Sequence, residues 1–343
     1  MKYRLVGIGN MPVDRIVKDG KILSYMPGGV TNLCRTWVEF VDPSAITPVT
    51  KIGDDKYVKH VKRELGKLGI DKSYILEIPN AESRLYEINV TDPQSPKIQK
   101  KQDAEILMNT PPKDITPILP NTAFVFYQSF ATLFETPYLD LTLKTIEEAD
   151  RLGVKIVVDN NIRQKSVEKV KIMSDTIKHV FNRVDFLKLN EGEAKILLNP
   201  EINQAIEKIR LDEEDLSKVA DEIAKNYGVR NVAITMGERG SFIQTPDKKL
   251  RFNAVKPVNF INSLGAGDLY SAGICMKYVR NLSYEETGTL ATVLGALATE
   301  GVPAYPKHLT RKKIINAIKM NANEFYEKYK INVDEFLRNL KFN

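Results

Sequence analysis

The chain has 343 residues, 43% apolar and 27% charged, which is the balance of an ordinary globular protein with length enough for a large core. Fifty Lys and Arg against 44 Asp and Glu leave a formal charge of +6. That mild excess suits a small polyanion such as a nucleotide, and it lacks the concentrated, aromatic-interleaved basic stripe of a nucleic-acid binder.

No apolar run reaches membrane-spanning length, and we read no signal peptide before the first strand. Cys34 and Cys275 are far apart and have no metal-ligand spacing. These features predict a soluble protein of a reducing cytoplasm with no membrane partner. His60, His179 and His308 sit in no metal spacing and beside no Ser or Cys nucleophile, so we expect surface positions for all three. A zinc hydrolase or a catalytic triad is thereby disfavoured.

In chain order, the first strand is predicted over Arg4–Gly9, with Asp14 after it. Gly28-Gly29 then precedes a helix starting near Asn32. The double glycine serves as a turn or brings backbone close to a sugar, with Asp14 and Asn32 reading hydroxyls. A strand over Ala45–Thr50 leads through Gly53-Asp54-Asp55 to a helix near Lys56, where Val58, Val61, Leu65 and Leu68 repeat at helical spacing. Ser83 to Ile106 breaks the alternation with a hairpin-like insertion around a Pro-rich turn. It is either a surface ornament or a β-lid over a cleft.

A strand over Ala123–Tyr127 and a helix near Tyr138 follow. The strand Lys155–Asp159 then ends in Asp159-Asn160-Asn161-Ile162-Arg163. Asn161 and Arg163 are ligand candidates there, against the alternative of a capped loop. After the strand Phe186–Leu189, Asn190 and Glu193 have the spacing of a capping box; the same pair can order water around a phosphate-bridging Mg²⁺. A helix near Asp212 precedes the strand Asn231–Thr235, which opens into Thr235-Met-Gly237-Glu-Arg239-Gly240. Thr235, Gly237, Arg239 and Gly240 are candidates for holding nucleotide phosphates.

An extended segment, Val255 to Ile261, leads to Asn262-Ser-Leu-Gly265-Ala266-Gly267-Asp268. Leu269, Ala272, Gly273, Met276 and Val279 fall on one helical face, so Asp268 begins a helix just behind two glycines. Backbone N–H groups at such a helix start favour an anion. A carboxylate there is badly placed to bind phosphate tightly and well placed to take a proton from a hydroxyl attacking it. The alternative is a tight turn with a capping aspartate. A helix near Glu285 leads to Gly301, assigned to an adenine edge, and the tail from Lys307 reads as helical and basic. Strands alternating with helices predict an α/β fold with a doubly wound, mostly parallel sheet and helices on both faces.

Taken together and in order, these residues resemble the ribokinase-like (PfkB) carbohydrate kinases from about Tyr3 to Pro306. The motifs are Asp14, Gly28-Gly29 with Asn32, Gly53-Asp54, the lid-like hairpin, Asp159-x-Asn161-x-Arg163, Asn190-x-x-Glu193, Gly237-x-x-Gly240 and Gly265-Ala266-Gly267-Asp268. The resemblance implies a kinase domain over 1–306 with lid insertions at about 10–30 and 83–106, and a C-terminal helical extension over 307–343. It implies ATP with Mg²⁺ and γ-phosphoryl transfer to a sugar hydroxyl. Asp268 would be the base, the 265–267 backbone the anion hole, and Asn190 with Glu193 the organisers of the metal. A homodimer through the lid is a further implication.

The family usually carries Asp-Thr-x before Gly-Ala-Gly-Asp, where this chain has Asn262-Ser263-Leu264. A carboxylate often associated with a monovalent-cation site is therefore missing. The Asp-x-Asn-x-Arg stretch resembles the fructokinase and 2-keto-3-deoxygluconate kinase branch, although Ser166-Val167 stands where that branch has Leu-Trp. The expectation is an ATP-dependent kinase of a hexose-type sugar. Its rivals are a nucleoside kinase of the same fold and a silent sugar- or nucleotide-binding regulator.

Overall fold

A computed structural model describes residues 3–92, 97–102, 112–129, 138–162, 174–202, 208–301 and 309–341. The chain divides into two compact units, Met1–Lys113 with Val255–Asn343, and Asp114–Ala254.

The first unit is built on three parallel strands. β1 (Arg4–Ile8) pairs with β4 (Ile46–Gly53) in the register Leu5↔Ile46, and β4 pairs with β5 (Ile75–Ile78) in the register Thr50↔Ile75. All eight residues of β4 are buried, as a strand covered on both faces requires. Helices α1 (Val30–Trp37) and α2 (Val58–Lys67) follow β-segments as expected. Val58, Val61 and Leu65 form the buried stripe of α2.

A separate small sheet has the order β3-β2-β6-β7, from β2 (Val13–Lys18), β3 (Lys21–Pro27), β6 (Leu85–Asn89) and β7 (Lys97–Gln102). Its two hairpins come from the segments expected to be insertions. They join through a parallel β2–β6 pairing that puts Asp14 beside Tyr86. Asp14 is thus a strand residue of the small sheet.

After residue 254 come α7 (Ala266–Arg280) and α8 (Tyr284–Ala298), which pack against each other, while α7 also packs on α1. A Cβ on Gly273 would lie 2.5 Å from Ala291 Cα, so the close approach of α7 to α8 depends on that glycine. The C-terminal segment forms α9 (Arg311–Met320), α10 (Ala322–Tyr329) and α11 (Val333–Asn339). Ile314, Ile318, Phe325 and Phe336 are buried inside this unit. The Arg311 N–H donates to Glu39 at 2.9 Å, and the Asn339 amide donates to Glu286 at 2.9 Å.

The second unit carries parallel β8 (Thr122–Gln128), β9 (Lys155–Asp159), β10 (Phe186–Asn190) and β11 (Val232–Thr235). An antiparallel hairpin, β12 (Ser241–Gln244) and β13 (Lys249–Phe252), extends it. Helices α3 (Tyr138–Arg151), α4 (Ser174–Phe181), α5 (Glu191–Leu198) and α6 (Glu213–Tyr227) complete the alternation. Asp212 caps α6 through the Asp215 N–H at 2.7 Å.

Val255–Ile261 joins no sheet; the N–H groups of Ile261 and Asn262 both donate to the Thr299 carbonyl at the end of α8. One expectation is corrected. His60 is not a simple surface residue. It is half-buried against β3, with Nε2 2.6 Å from the Tyr25 carbonyl and Nδ1 2.9 Å from the Arg63 guanidinium. His179 is on the surface, and His308 lies outside the described residues.

Candidate active site

The first unit gathers the N-terminal motif and the Gly-Ala-Gly-Asp motif at one point. Gly29 begins α1 at φ 59°, and a Cβ there would stand 2.1 Å from the Asn10 carbonyl oxygen. Only glycine allows that approach. The Asn10 carbonyl accepts from the Val30 N–H at 3.0 Å, and the Gly28 N–H donates to Pro12 at 2.9 Å. This fold of the backbone aims the α1 N-terminus at Asp14: a Cβ on Gly28 would lie 2.2 Å from Asp14 Oδ2.

On the first turn of α1, the Asn32 amide donates to Asp268 Oδ2 at 2.9 Å across 236 residues of sequence. Asp268 stands at the third position of α7, behind Gly265 at φ 77°. No side chain among the described residues caps this helix; the Ala266 N–H donates to the Ser263 carbonyl at 3.4 Å, and the Gly267 and Asp268 N–H groups belong to the first turn.

Two carboxylates thus share one small space. Burial and then the nearby Asp268 charge push Asp14 up to about 7, against a smaller lowering by the Arg35 guanidinium. Arg35 is buried one helical turn beyond Asn32. It was missed in the sequence, although its spacing from Asn32 puts both on one helical face.

Asn262 explains the departure from Asp at that position. Its Oδ1 accepts from the Leu264 N–H at 2.9 Å, which turns the amide nitrogen to donate to the Gly301 carbonyl. A carboxylate would set oxygen against oxygen there. Gly301 is placed by this bond, and Val302 lies outside the described residues.

The second unit assembles the other group. The β10–β11 register sets Asn190 directly beside Thr235, at the carboxyl ends of both strands. Asn190 and Glu193 form a complete capping box: Glu193 N–H to Asn190 Oδ1 at 2.9 Å and Asn190 N–H to Glu193 Oε2 at 2.8 Å. The Thr235 hydroxyl donates to the Leu189 carbonyl at 3.3 Å. Gly237 to Gly240 make a short 3₁₀ turn. The Arg239 guanidinium is engaged, paired with Glu191 and donating to the Leu211 carbonyl at 2.9 Å. Its first role here is to fix the α5 start against the 208–212 segment.

On the neighbouring strand, buried Asp159 and Lys188 pair at 3.2 Å, which holds the start of the Asp-Asn-Asn stretch. Asn161 has φ 45° and donates to the Ser129 hydroxyl at 2.6 Å. Arg163, the other candidate of that stretch, lies outside the described residues.

Comparison with known proteins accords with this geometry. The sequence pattern of the pfkB family carbohydrate kinases matches residues 5–307. A deoxyribokinase of Salmonella typhi is 24% identical over 261 residues, 75% of this chain and 76% of that protein. Among solved structures, Arabidopsis thaliana ribokinase complexed with ribose and ATP superposes with a TM-score of 0.70 at 20% identity, covering 93% of this chain and 99% of that one. A 2-dehydro-3-deoxygluconokinase of Thermotoga maritima gives 0.75 at 15% identity, covering 92% and 98%. The fold is therefore ribokinase-like, a mostly parallel sheet flanked by helices with a separate small sheet. This chain belongs to the pfkB family of carbohydrate kinases, phosphotransferases that act on a sugar hydroxyl.

Proposed function

We propose that the acceptor is a hexose-type sugar, of the fructose or 2-keto-3-deoxygluconate kind, and that Asp268 is the base. The observation that carries this reading is the Asn32–Asp268 bond of 2.9 Å beside buried Asp14. The bond brings the Asn32 amide to a carboxylate in the first turn of α7, which supports the reading.

In this reading Asp14, Asn32 and the Gly28-Gly29 backbone bind and orient the sugar. Asn32 also fixes the Asp268 carboxylate so that it faces the acceptor hydroxyl and takes its proton. The first-turn N–H groups of α7, framed by Gly265, Ala266 and Gly267, stabilise negative charge near that hydroxyl. ATP, when bound, supplies the phosphoryl group.

Asn190, Thr235 and Gly237–Gly240 would hold the nucleotide phosphates, with Arg239 adding to them only if it leaves Glu191. Asn190 and Glu193 would order the waters of Mg²⁺, which needs few direct protein ligands. The small sheet would act as the lid. Its edge strands expose Ile22, Leu23 and Ile98, at 52%, 54% and 54%, which supports pairing with a second copy.

Asp268→Asn tests the reading. The variant should fold normally, keep ATP affinity and lose turnover by roughly 10²–10⁴-fold in an ATP-consumption screen over ketoses, sugar acids and nucleosides. Near-normal turnover would remove Asp268 from the base role, and turnover with nucleosides alone would remove the hexose.

A further inference from the structure

Helix α1 carries one charged residue, Arg35, and it is only 4% exposed. Its neighbours fix the side of the helix that it takes. A Cβ on Gly7 of β1 would meet Val30, Cys34 and Trp37 at 3.0, 3.4 and 3.4 Å, so these three form the face that packs on β1. Asn32 lies opposite that face and reaches Asp268. Arg35, three residues on, lies about 60° from Asn32 around the helix and nearly one turn further along it.

Cβ atoms of a helix tilt toward its N-terminus, so the long side chain of Arg35 runs back over Asn32 toward the helix start. Asp14 stands at that end. A Cβ on Gly28 would lie 2.2, 2.8 and 3.0 Å from Oδ2, Cγ and Oδ1 of Asp14, so the whole carboxylate lies against the turn that opens α1. The hydroxyls and the indole of α1 serve backbone instead. Thr31 Oγ1 donates to the Pro27 and Gly28 carbonyls at 2.8 Å, Thr36 to the Asn32 carbonyl at 2.9 Å, and Trp37 to the Ala272 carbonyl at 3.3 Å. The charges agree with this placement: burial and then Asp268 raise Asp14, and the Arg35 guanidinium draws it down against both.

A guanidinium withdrawn from water is costly unless a carboxylate faces it. Two carboxylates in one small space are costly unless a cation faces them. Arg35 beside Asp14 answers both. We propose that Arg35 is a positioning residue for the acceptor: its guanidinium holds the Asp14 carboxylate beside Asp268, so that Asp14 reads an acceptor hydroxyl while Asp268 takes the proton. The proposal rests on the kinase reading of the Asp268 site.

The test is a double-mutant cycle of Arg35→Met and Asp14→Asn, with fructose, 2-keto-3-deoxygluconate and adenosine as acceptors and folding checked by circular dichroism. On the best acceptor, Arg35→Met should raise KM by about ten-fold or more, the scale of one charge-assisted bond, and leave the KM for ATP unchanged. In the Asp14→Asn background the same substitution should add no more than about two-fold, because the group it acts through is gone. Equal losses in the two backgrounds, or a rise in both KM values together, would overturn the proposal.

Arg35→Lys keeps a cation and should lose less acceptor affinity than Arg35→Met; a lysine variant no better than the methionine one counts against it. Should Arg35→Met fail to fold, the lysine variant carries the same cycle. Urea midpoints of the four proteins need no turnover. Stability changes that simply add would refute the pairing of Arg35 with Asp14. If no acceptor is phosphorylated, the kinase reading fails by itself, and the urea cycle still decides the pair.

Discussion

Asp14 and Asn262 show what one side chain decides in this fold. Asp14 titrates near 7 in the folded protein and near 4 in an unfolded chain. Below about pH 4 both states hold the proton. Between about 4 and 7 the unfolded chain releases it while the folded chain keeps it, so the contribution of Asp14 to stability falls as pH rises through that window. Asp14→Asn should abolish this slope. Urea midpoints of both proteins at pH 4.5 and 7.5 should differ by more at the higher pH, with the variant gaining. Equal differences would show that Asp14 is not held protonated. At Asn262 the amide donates to Gly301, where a carboxylate would need a cation between the two oxygens. The wild type is therefore expected to respond little to K⁺, and Asn262→Asp should become K⁺-dependent against a choline control. A K⁺ response shared equally by both proteins would show that backbone carbonyls suffice.

At the scale of elements, α5 tests whether a cap also serves a ligand. The capping box needs an acceptor at Glu193, and glutamine supplies one without charge. Glu193→Gln should therefore leave the Tm nearly unchanged while raising the Mg²⁺ concentration needed for half-maximal turnover. An unchanged Mg²⁺ titration would make the pair a helix cap and nothing more. The small sheet gives the complementary case. Asp55 binds Ser83 through two bonds, which ties the β4–α2 turn to the start of β6.

For the whole molecule, the C-terminal helices are part of the first unit's core. Phe336 is fully buried, and α9 packs on α8. Phe336→Ala should cost about 3–5 kcal/mol, the usual range for a buried phenylalanine. The check is a lowered denaturation midpoint with little change in KM for the sugar. A loss of under about 1 kcal/mol would mean that the tail docks loosely.

The sequence by itself determined the α/β alternation, most strand positions to within a few residues, the hairpin character of 83–106, and the glycine-aspartate motif that marks the family. These are local signals: periodicity, turn chemistry and small residues in fixed order. It also offered both readings of Asn190 and Glu193, and the structure shows the capping box complete. The tertiary structure decided what distant segments do to one another. Asn32 meets Asp268 and Asp14 acquires a second carboxylate as neighbour. Both depend on packing between segments far apart in the sequence. Val255–Ile261, extended in the sequence reading, joins no sheet, and its Ile261 N–H donates to the Thr299 carbonyl at the end of α8. Pattern reports which face a residue takes; only packing reports which charge it will face.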